Sequence, residues 1–258
     1  MDYTTLIVTE AGGVGSITLN RPTLMNALNT RMRAELLHAL QDLSGRARVL
    51  VLTGAGRAFC AGQDLADGVS VDGLDLGRGL REEYEPMLRA IYDCPLPVIA
   101  AVNGAAAGAG ANLALAADVV IATQSAVFLQ AFSRIGLIPD AGGTFFLPRQ
   151  VGFARAMGQA LFAEPVSADA AAEMGMIWAS VPDDAFEAEW KRRAAQLAQG
   201  PTQAYGAIKR AMRQSLDNPL DRQLTLEAAL QGERGASHDF REGVAAFLEK
   251  RPARFEGR

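Results

Sequence analysis

An alternation of strand-like and helix-like segments constrains the fold of this 258-residue chain more than any other feature. Residues 17–19 and 49–52 are short, apolar and rich in β-branched side chains, and between them apolar residues recur at helical spacing from Met32 to Leu43. Further strands are predicted over 97–102 and 118–122, separated by an Ala- and Leu-rich segment. This order predicts an α/β fold with right-handed crossovers.

The last third of the chain follows a different pattern. After a predicted strand at 178–181, we expect only amphipathic helices, over 184–199, 201–215, 219–231 and 238–250. We therefore divide the chain into an α/β core over 1–198 and a helical region over 199–258. The sequence leaves open whether the helical region packs on the core of its own chain or on a neighbouring subunit.

Composition excludes several classes of protein. Lys and Arg number 25 against 29 for Asp and Glu, the net charge is −4, and the basic residues are scattered, which argues against nucleic acid or an anionic membrane as the main partner. Two cysteines and two histidines cannot form a protein-built zinc cluster, so no metal site is expected. Polar residues interrupt the apolar stretch over 97–122, so no membrane span is expected. Because the first ten residues lack a secretory signal pattern, we expect a cytoplasmic protein.

Glycines cluster in segments that follow predicted strands, at 56–65, 103–113 and 128–143. Small residues around Gly62 and Gly108 would let a substrate approach the main chain, so that backbone N–H groups could stabilise negative charge on an oxygen. Each glycine pair could equally be an ordinary turn. A dinucleotide site is disfavoured because Leu113 stands where the third glycine of that motif belongs.

Asp140 is the acid that stands out, because it lies between apolar residues and Gly142 and Gly143. Desolvation there would raise its pKa and suit it to proton transfer, although a turn or a helix N-cap would explain the same pattern. Other polar residues are expected to have ordinary roles: an exposed His38, a buried thiol at Cys60, caps or loop charges at Asp64 and Asp67, and a helix start at Ser237 and His238.

At these same segments the chain resembles the enoyl-CoA hydratase/isomerase (crotonase) superfamily. The similarity is carried by Asn-Arg-Pro at 20–22 with Asn-Ala-Leu at 26–28, and by the motifs at 56–65, 102–110, 135–144 and 247–251. It covers nearly the whole chain. The resemblance implies a core of repeated β-β-α units, a helical C-terminal trimerisation region and an acyl-CoA thioester substrate.

The resemblance also implies roles for particular residues. The backbone N–H groups of Gln63 and Ala109 would form an oxyanion hole, and Asp140 would be the acid-base group. No cofactor is implied, because coenzyme A is part of the substrate, and the assembly would be a homotrimer or a dimer of trimers. Substrate and CoA contacts are implied for Arg21, Ala61, Gly62, Asp64, Leu65, Gly108, Asn112, Phe132, Phe247 and Lys250, the last two reaching a neighbouring subunit.

Departures from the family pattern narrow the reaction. The family's hydratases have Glu at the positions matched by Asn112 and Phe132, whereas several of its isomerases have an acid at the position of Asp140. The pattern is most similar to the isomerases of ring 1,2-epoxyphenylacetyl-CoA, which form oxepin-CoA, and their relatives convert 3-enoyl-CoA to 2-enoyl-CoA. We therefore expect an isomerase in which Asp140 moves one proton through an enolate.

Three other functions stay open. One is hydration, and another is aryl-CoA dehalogenation, which would need an aromatic box from Phe132, Phe145 and Phe146. The third is a non-catalytic acyl-CoA- or RNA-binding homologue. The physiological acyl group is not determined, since the shape of the pocket depends on loops such as 69–79.

Overall fold

A computed structural model describes residues 2–67 and 75–258. The strands are β1 Leu6–Ala11, β2 Val14–Leu19, β3 Val49–Gly54, β4 Ala58–Cys60, β5 Val98–Val102, β6 Ala105–Ala107, β7 Val119–Thr123, β8 Val127–Leu129, β9 Val166–Ser167 and β10 Ala179–Val181. The helices are α1 Thr30–Ser44, α2 Leu76–Gly79, α3 Glu85–Tyr92, α4 Ala109–Leu115, α5 Gly143–Val151, α6 Phe153–Phe162, α7 Ala168–Glu173, α8 Phe186–Ala198, α9 Thr202–Gln214, α10 Leu220–Gly235 and α11 His238–Glu249.

The larger sheet has six strands in the order β1-β2-β3-β5-β7-β10. β1 and β2 form an antiparallel hairpin, and every other pair in this sheet is parallel. Its central strand β5 is buried along its whole length, as expected for a parallel sheet covered on both faces. The predicted α/β class is confirmed.

Four short strands form a second sheet, in the order β4-β6-β8-β9. Each of β4, β6 and β8 follows a strand of the large sheet after a short turn, which produces the β-β-α repeat implied by the resemblance. Hydrophobic periodicity did not predict these strands, because segments of two or three residues are too short to show a period.

Helices cover the two faces of the large sheet. On one face, α1 buries Met32, Leu36 and Leu43 in the main core. On the other face, Phe186 and other apolar residues of α8 pack against Val49 and its neighbours in a smaller cluster. The positions predicted for α1 and α8 are confirmed, and the core holds the strands whose ends carry the candidate site.

The C-terminal helices α9, α10 and α11 agree with the predicted helical segments at 201–215, 219–231 and 238–250. Few of their residues are buried within the chain, and several large apolar side chains are exposed: Ile208, Met212, Leu220, Leu224, Phe240, Val244, Phe247 and Leu248. No helix in the described part of the chain has the length and apolar character needed to span a bilayer.

Candidate active site

Three loops come together because the strands before them are neighbours. β4 pairs in parallel with β6, and β6 pairs in parallel with β8, so the chain leaves all three at the same edge of the small sheet. The approach of the first two loops is close: a Cβ added to Gly62 would lie 2.8 Å from the carbonyl oxygen of Ala107 and 3.4 Å from the backbone nitrogen of Ala109. The glycine is therefore required by close packing of two main chains.

Gln63 and Ala109 are the residues expected to supply the two backbone donors. Leu28 N–H donates to the Gly62 carbonyl at 2.7 Å, and Asp64 N–H donates to the Leu28 carbonyl at 3.1 Å. In this parallel bridge the N–H of Gln63 points away from Leu28. Ala109 is the first residue of α4, where N–H groups have no acceptor within the helix. Gln63 and Ala109 both line one cavity of about 520 Å³.

Asp140 lines the same cavity. It lies in the segment that leads into α5, three residues before the first residue of that helix. Burial raises the pKa of its carboxyl group to about 6, against the smaller, opposite effect of its own backbone N–H. Its Oδ1 atom is buried and has no hydrogen-bond donor among the described residues. A carboxylate held this way is a competent proton acceptor near neutral pH.

The main chain of Asp140 is held more firmly than its side chain. Its carbonyl oxygen accepts hydrogen bonds from Gly143 N–H at 2.8 Å and from Asn112 Nδ2 at 2.7 Å. Ala141, the next residue, has a positive φ of 48°, an uncommon conformation for a residue with a Cβ. The segment is thus a tight turn, as one sequence interpretation had it, but the carboxylate does not cap α5, whose N-cap residue is Gly142.

Asn112 lies behind Asp140, outside the cavity lining. Its side chain is fully buried, donates to the Asp140 carbonyl, and accepts from Gln130 Nε2 at 2.8 Å. Phe132, by contrast, lines the cavity next to Gly108. The two positions where the resemblance places acids in hydratases therefore hold a buried structural amide and an aromatic ring.

A second cavity of about 510 Å³ lies on the other side of Asp140. The two cavities share Leu80, Tyr84 and Asp140 as lining residues. The second is aromatic: the rings of Phe145 and Phe146 meet edge to face at 5.4 Å between centroids, and Tyr92 lies 5.8 Å from Phe146. Phe145 and Phe146 are therefore separated from Phe132, which lines the first cavity.

Several charged or polar residues at the site were not found from the sequence, and three of them contact one another or share the cavities. Arg33 is buried on the apolar side of α1, Glu83 forms an ion pair with it, and Tyr84 lines both cavities. The sequence contained one signal, a charged residue at a core-facing position three residues before Leu36. Glu83 and Tyr84 had no such signal in the sequence.

The other residues expected at the site are distributed over several places. Arg21 forms an ion pair with Asp64 at 2.8 Å. Ala61 and Leu65 line the first cavity, and the side chain of Leu65 is 70% exposed. Residues Phe247 and Lys250 are on or at the end of α11, and Phe247 lines a different cavity among the C-terminal helices.

The residues given ordinary roles mostly have them. Burial raises the pKa of the Cys60 thiol to about 12, so Cys60 is an inert buried residue. Asp67 accepts a hydrogen bond of 2.6 Å from Thr30 N–H in the first turn of α1. Ser237 caps α11. The expectation of an exposed His38 was wrong: this residue is half-buried and lies 2.9 Å from the Tyr3 hydroxyl. Of the loop at 69–79, residues 69–74 lie outside the described part.

The sequence matches one family model and is similar to known proteins over nearly its whole length. A family model described as enoyl-CoA hydratase/isomerase matches residues 9–258. A protein of Rhodobacter capsulatus described as a probable enoyl-CoA hydratase is 65% identical over all of both chains. The 1,2-epoxyphenylacetyl-CoA isomerase of Escherichia coli is 49% identical over 95% of this chain and 96% of its own.

A solved structure shows the same fold. The crystal structure of an enoyl-CoA hydratase from Bacillus anthracis superimposes with a TM-score of 0.91 and 32% sequence identity. The superposition covers 99% of this chain and 100% of that one.

Proposed function

This chain belongs to the enoyl-CoA hydratase/isomerase family, and we propose that it is an acyl-CoA isomerase whose acid-base residue is Asp140. One observation carries the proposal. Asp140, whose Oδ1 atom is buried without a donor among the described residues, lines the same cavity as Gln63 and Ala109.

The proposed reaction begins with the thioester carbonyl oxygen between those two N–H groups. Each such donor contributes roughly 10²- to 10³-fold in rate, because negative charge develops on that oxygen. Asp140 removes a proton from the α-carbon, the C–H electron pair spreads into an extended enolate, and the protonated Asp140 returns the proton further along the acyl chain. Atoms and charge balance with one carboxylate, and the step contributes about 10²- to 10⁴-fold.

The proposed substrates are 3-enoyl-CoA, which would become 2-enoyl-CoA, and ring 1,2-epoxyphenylacetyl-CoA, which would become oxepin-CoA. In the second reaction the carbon–carbon bond shared by the epoxide and the six-membered ring opens to give the seven-membered ring, and the proton moves from the α-carbon to a ring carbon, so that no atom is gained or lost. The second is supported by the name of the Escherichia coli relative and by the aromatic cavity that adjoins Asp140. The aromatic side chains of that cavity, Tyr92, Phe145 and Phe146, have the character that an aryl-derived acyl group needs.

Hydration is the second candidate, because the 65% identical relative is described as a probable hydratase. Two features of the site favour isomerisation over it. Asn112 is buried with its amide bound to the Asp140 carbonyl, and Phe132 offers a ring where a second acid would be needed to activate water. With an amide and a ring at those two positions, Asp140 can shuttle a proton, but the pair of acids by which the family's hydratases add water is missing there.

The test is a pair of spectrophotometric assays on the same preparation. We expect turnover of a 3-enoyl-CoA and, with crotonyl-CoA, very slow water addition. Crotonyl-CoA hydration on the order of 10² per second or faster would show that the protein is a hydratase. A panel that includes ring 1,2-epoxyphenylacetyl-CoA then ranks the substrates.

We also propose assembly into a homotrimer or a dimer of trimers. The support is the set of exposed apolar side chains on α10 and α11, with Leu224, Val244 and Phe247 each more than two fifths exposed at 52%, 44% and 83%. Light scattering at micromolar concentration should give three or six times the chain mass. A monomer would contradict the proposal.

A further inference from the structure

Arg33 is a buried cation with every donor in use. The residue is 5% exposed, and a guanidinium group offers five N–H donors. Its Nε and Nη2 donate to Glu83 Oε2, and Nη2 also donates to Thr30 Oγ1 at 3.0 Å. Its Nη1 donates to the Leu28 carbonyl at 2.8 Å and to Gln63 Oε1 at 3.0 Å. A cation this deeply buried and fully bonded fixes the groups around it.

Two of those acceptors, the Leu28 carbonyl and Gln63 Oε1, belong to the two residues that are paired in the parallel bridge. The Leu28 carbonyl that receives Arg33 also receives Asp64 N–H, and Gln63 lies between Gly62 and Asp64. The same guanidinium holds the Gln63 side chain. Arg33 therefore joins both strands of the bridge and limits rotation of the Gln63 peptide unit.

Tyr84 holds Gln63 from the cavity side. Its hydroxyl donates to Gln63 Oε1, the atom that also accepts from Arg33. The Arg33 guanidinium carbon lies 4.9 Å from the centre of the Tyr84 ring. Burial raises the pKa of Tyr84, so that its hydroxyl stays a donor at physiological pH. The Gln63 side chain is thus clamped between two donors while its Nε2 donates to the Asp64 carbonyl at 3.2 Å.

We propose that Arg33 and Tyr84 are positioning residues that fix the N–H of Gln63 in the oxyanion hole, an inference that rests on the hole in the proposed function. The physical reason is that a hydrogen-bond donor stabilises a developing oxyanion only when its direction is set before the reaction, and a displacement of about 1 Å can cost about 100-fold in rate. Neither residue contacts the reacting atoms in this role. Glu83 neutralises the buried charge of Arg33, which would otherwise carry a large desolvation penalty.

The test measures the hole directly, with a ligand that cannot react. Butyryl-CoA labelled with ¹³C at the thioester carbonyl has no double bond to move or hydrate, and infrared difference spectra report how strongly the bound carbonyl is polarised. The natural protein should lower the carbonyl stretching frequency on binding. Arg33→Lys keeps the charge but loses the planar fork, and it should lose about half or more of that lowering. Its kcat should fall by about 10- to 100-fold, with the Kd for butyryl-CoA within about threefold.

Two control variants separate positioning from general damage. Asp140→Asn should keep the carbonyl frequency of the natural protein although it loses turnover. Arg48→Lys removes a different guanidinium fork, a half-buried one that binds Thr202, Gly200 and Phe255 far along the chain, and it should lower the melting temperature without moving the carbonyl band. A folded Arg33→Lys protein with an unchanged carbonyl band would overturn the inference.

Two smaller substitutions keep the test decisive if Arg33→Lys does not fold. Tyr84→Phe removes one hydroxyl, and Gln63→Met keeps the backbone N–H but removes the atom that both donors hold. Each should reduce the carbonyl lowering and cut kcat by about 3- to 10-fold, and unchanged bands in both would overturn the inference. If the natural protein lowers the carbonyl frequency but moves no double bond, the proposed function fails while this inference stands.

Discussion

Glu35 and Asp140 are carboxylates with little access to solvent that are held in opposite ways. Glu35, in α1, accepts hydrogen bonds from the backbone and hydroxyl groups of Thr4 and Thr5 and from Arg31. Burial alone would raise the pKa of Glu35, but these donors together lower it to about 2. Burial likewise raises the pKa of Asp140, to about 6, and there the described residues supply no donor to Oδ1 that would offset it.

The comparison contrasts a structural acid with the proposed base. At Glu35 the ionised form is stabilised by the fold, so the residue ties the N-terminal segment to α1. At Asp140 the fold leaves the ionised form poorly solvated, which makes it basic enough to accept a proton from carbon. Such an arrangement lowers stability, and a site retains it only where the chemistry needs it. The predictions below test whether the two acids differ in this way.

The largest expected effect is on turnover. Asp140→Asn keeps the shape of the side chain and removes the base, so kcat for isomerisation of 3-enoyl-CoA should fall by about 10²- to 10⁴-fold while acyl-CoA affinity changes little. Exchange of the α-proton with D₂O, followed by NMR, should be lost with it.

Glu35→Gln is the matched control, since it makes the same chemical change at an acid whose carboxylate is fully hydrogen-bonded. It should leave kcat within about threefold at a temperature where the variant is folded. If Asp140→Asn retained near-native turnover and exchange, Asp140 would be only a turn residue, and Asp64 and Asp67 would become the next candidates.

The α/β class and the elements with a clear apolar period were predictable, from α1 and β3 to the C-terminal α11. The strand β1 and the helices α3, α5 and α6 were not among the predicted elements. The short strands of the small sheet show no such period, although β4 and β6 are the ones that bring Gly62 beside Ala109. Sequence motifs identified the two loops, but only the pairing of those strands explains why the loops meet.

The site was predictable where it rests on local sequence and not where it rests on tertiary contacts. Asp140 stood out because its neighbours along the chain are apolar or glycine. The contact of Asn112 with the Asp140 carbonyl joins residues 28 positions apart, and that of Arg33 with Gln63 joins residues 30 apart. No pattern within one segment reports such contacts, so the buried groups that support the site could be identified only in the folded chain.

A smaller effect is expected on the free energy of unfolding. Its sign should differ between Glu35→Gln and Asp140→Asn. Glu35→Gln removes a charged acceptor of several hydrogen bonds and should lower the free energy of unfolding at pH 7 by about 2 kcal/mol. Asp140→Asn removes a poorly solvated charge and should raise it by about 1 kcal/mol. Urea unfolding monitored by circular dichroism measures both. Equal losses in the two variants would mean that Asp140 is held as firmly as Glu35.

The smallest expected effect is on pH dependence, and its sign differs between the two acids. The pKa of Asp140 is raised to about 6 in the fold, so the ionised form lowers stability above pH 6, and this cost disappears as the pH falls from 6 toward 4. The pKa of Glu35 is lowered to about 2, so its contribution is complete above about 4.5 and is lost only as the pH falls toward 2.

Between pH 6 and 5, therefore, the two acids should be separable in one preparation. Activity should fall by about fivefold as Asp140 takes up a proton, because a protonated carboxyl cannot act as the base. Over the same interval Glu35 stays ionised, and the stability advantage of Asp140→Asn over the natural protein should shrink as their charges become equal. Measurements of kcat/KM and of urea unfolding at pH 5, 6 and 7 provide both quantities. An activity profile flat down to pH 5, with a stability difference that does not change, would show that Asp140 is an ordinary acid already ionised across this range.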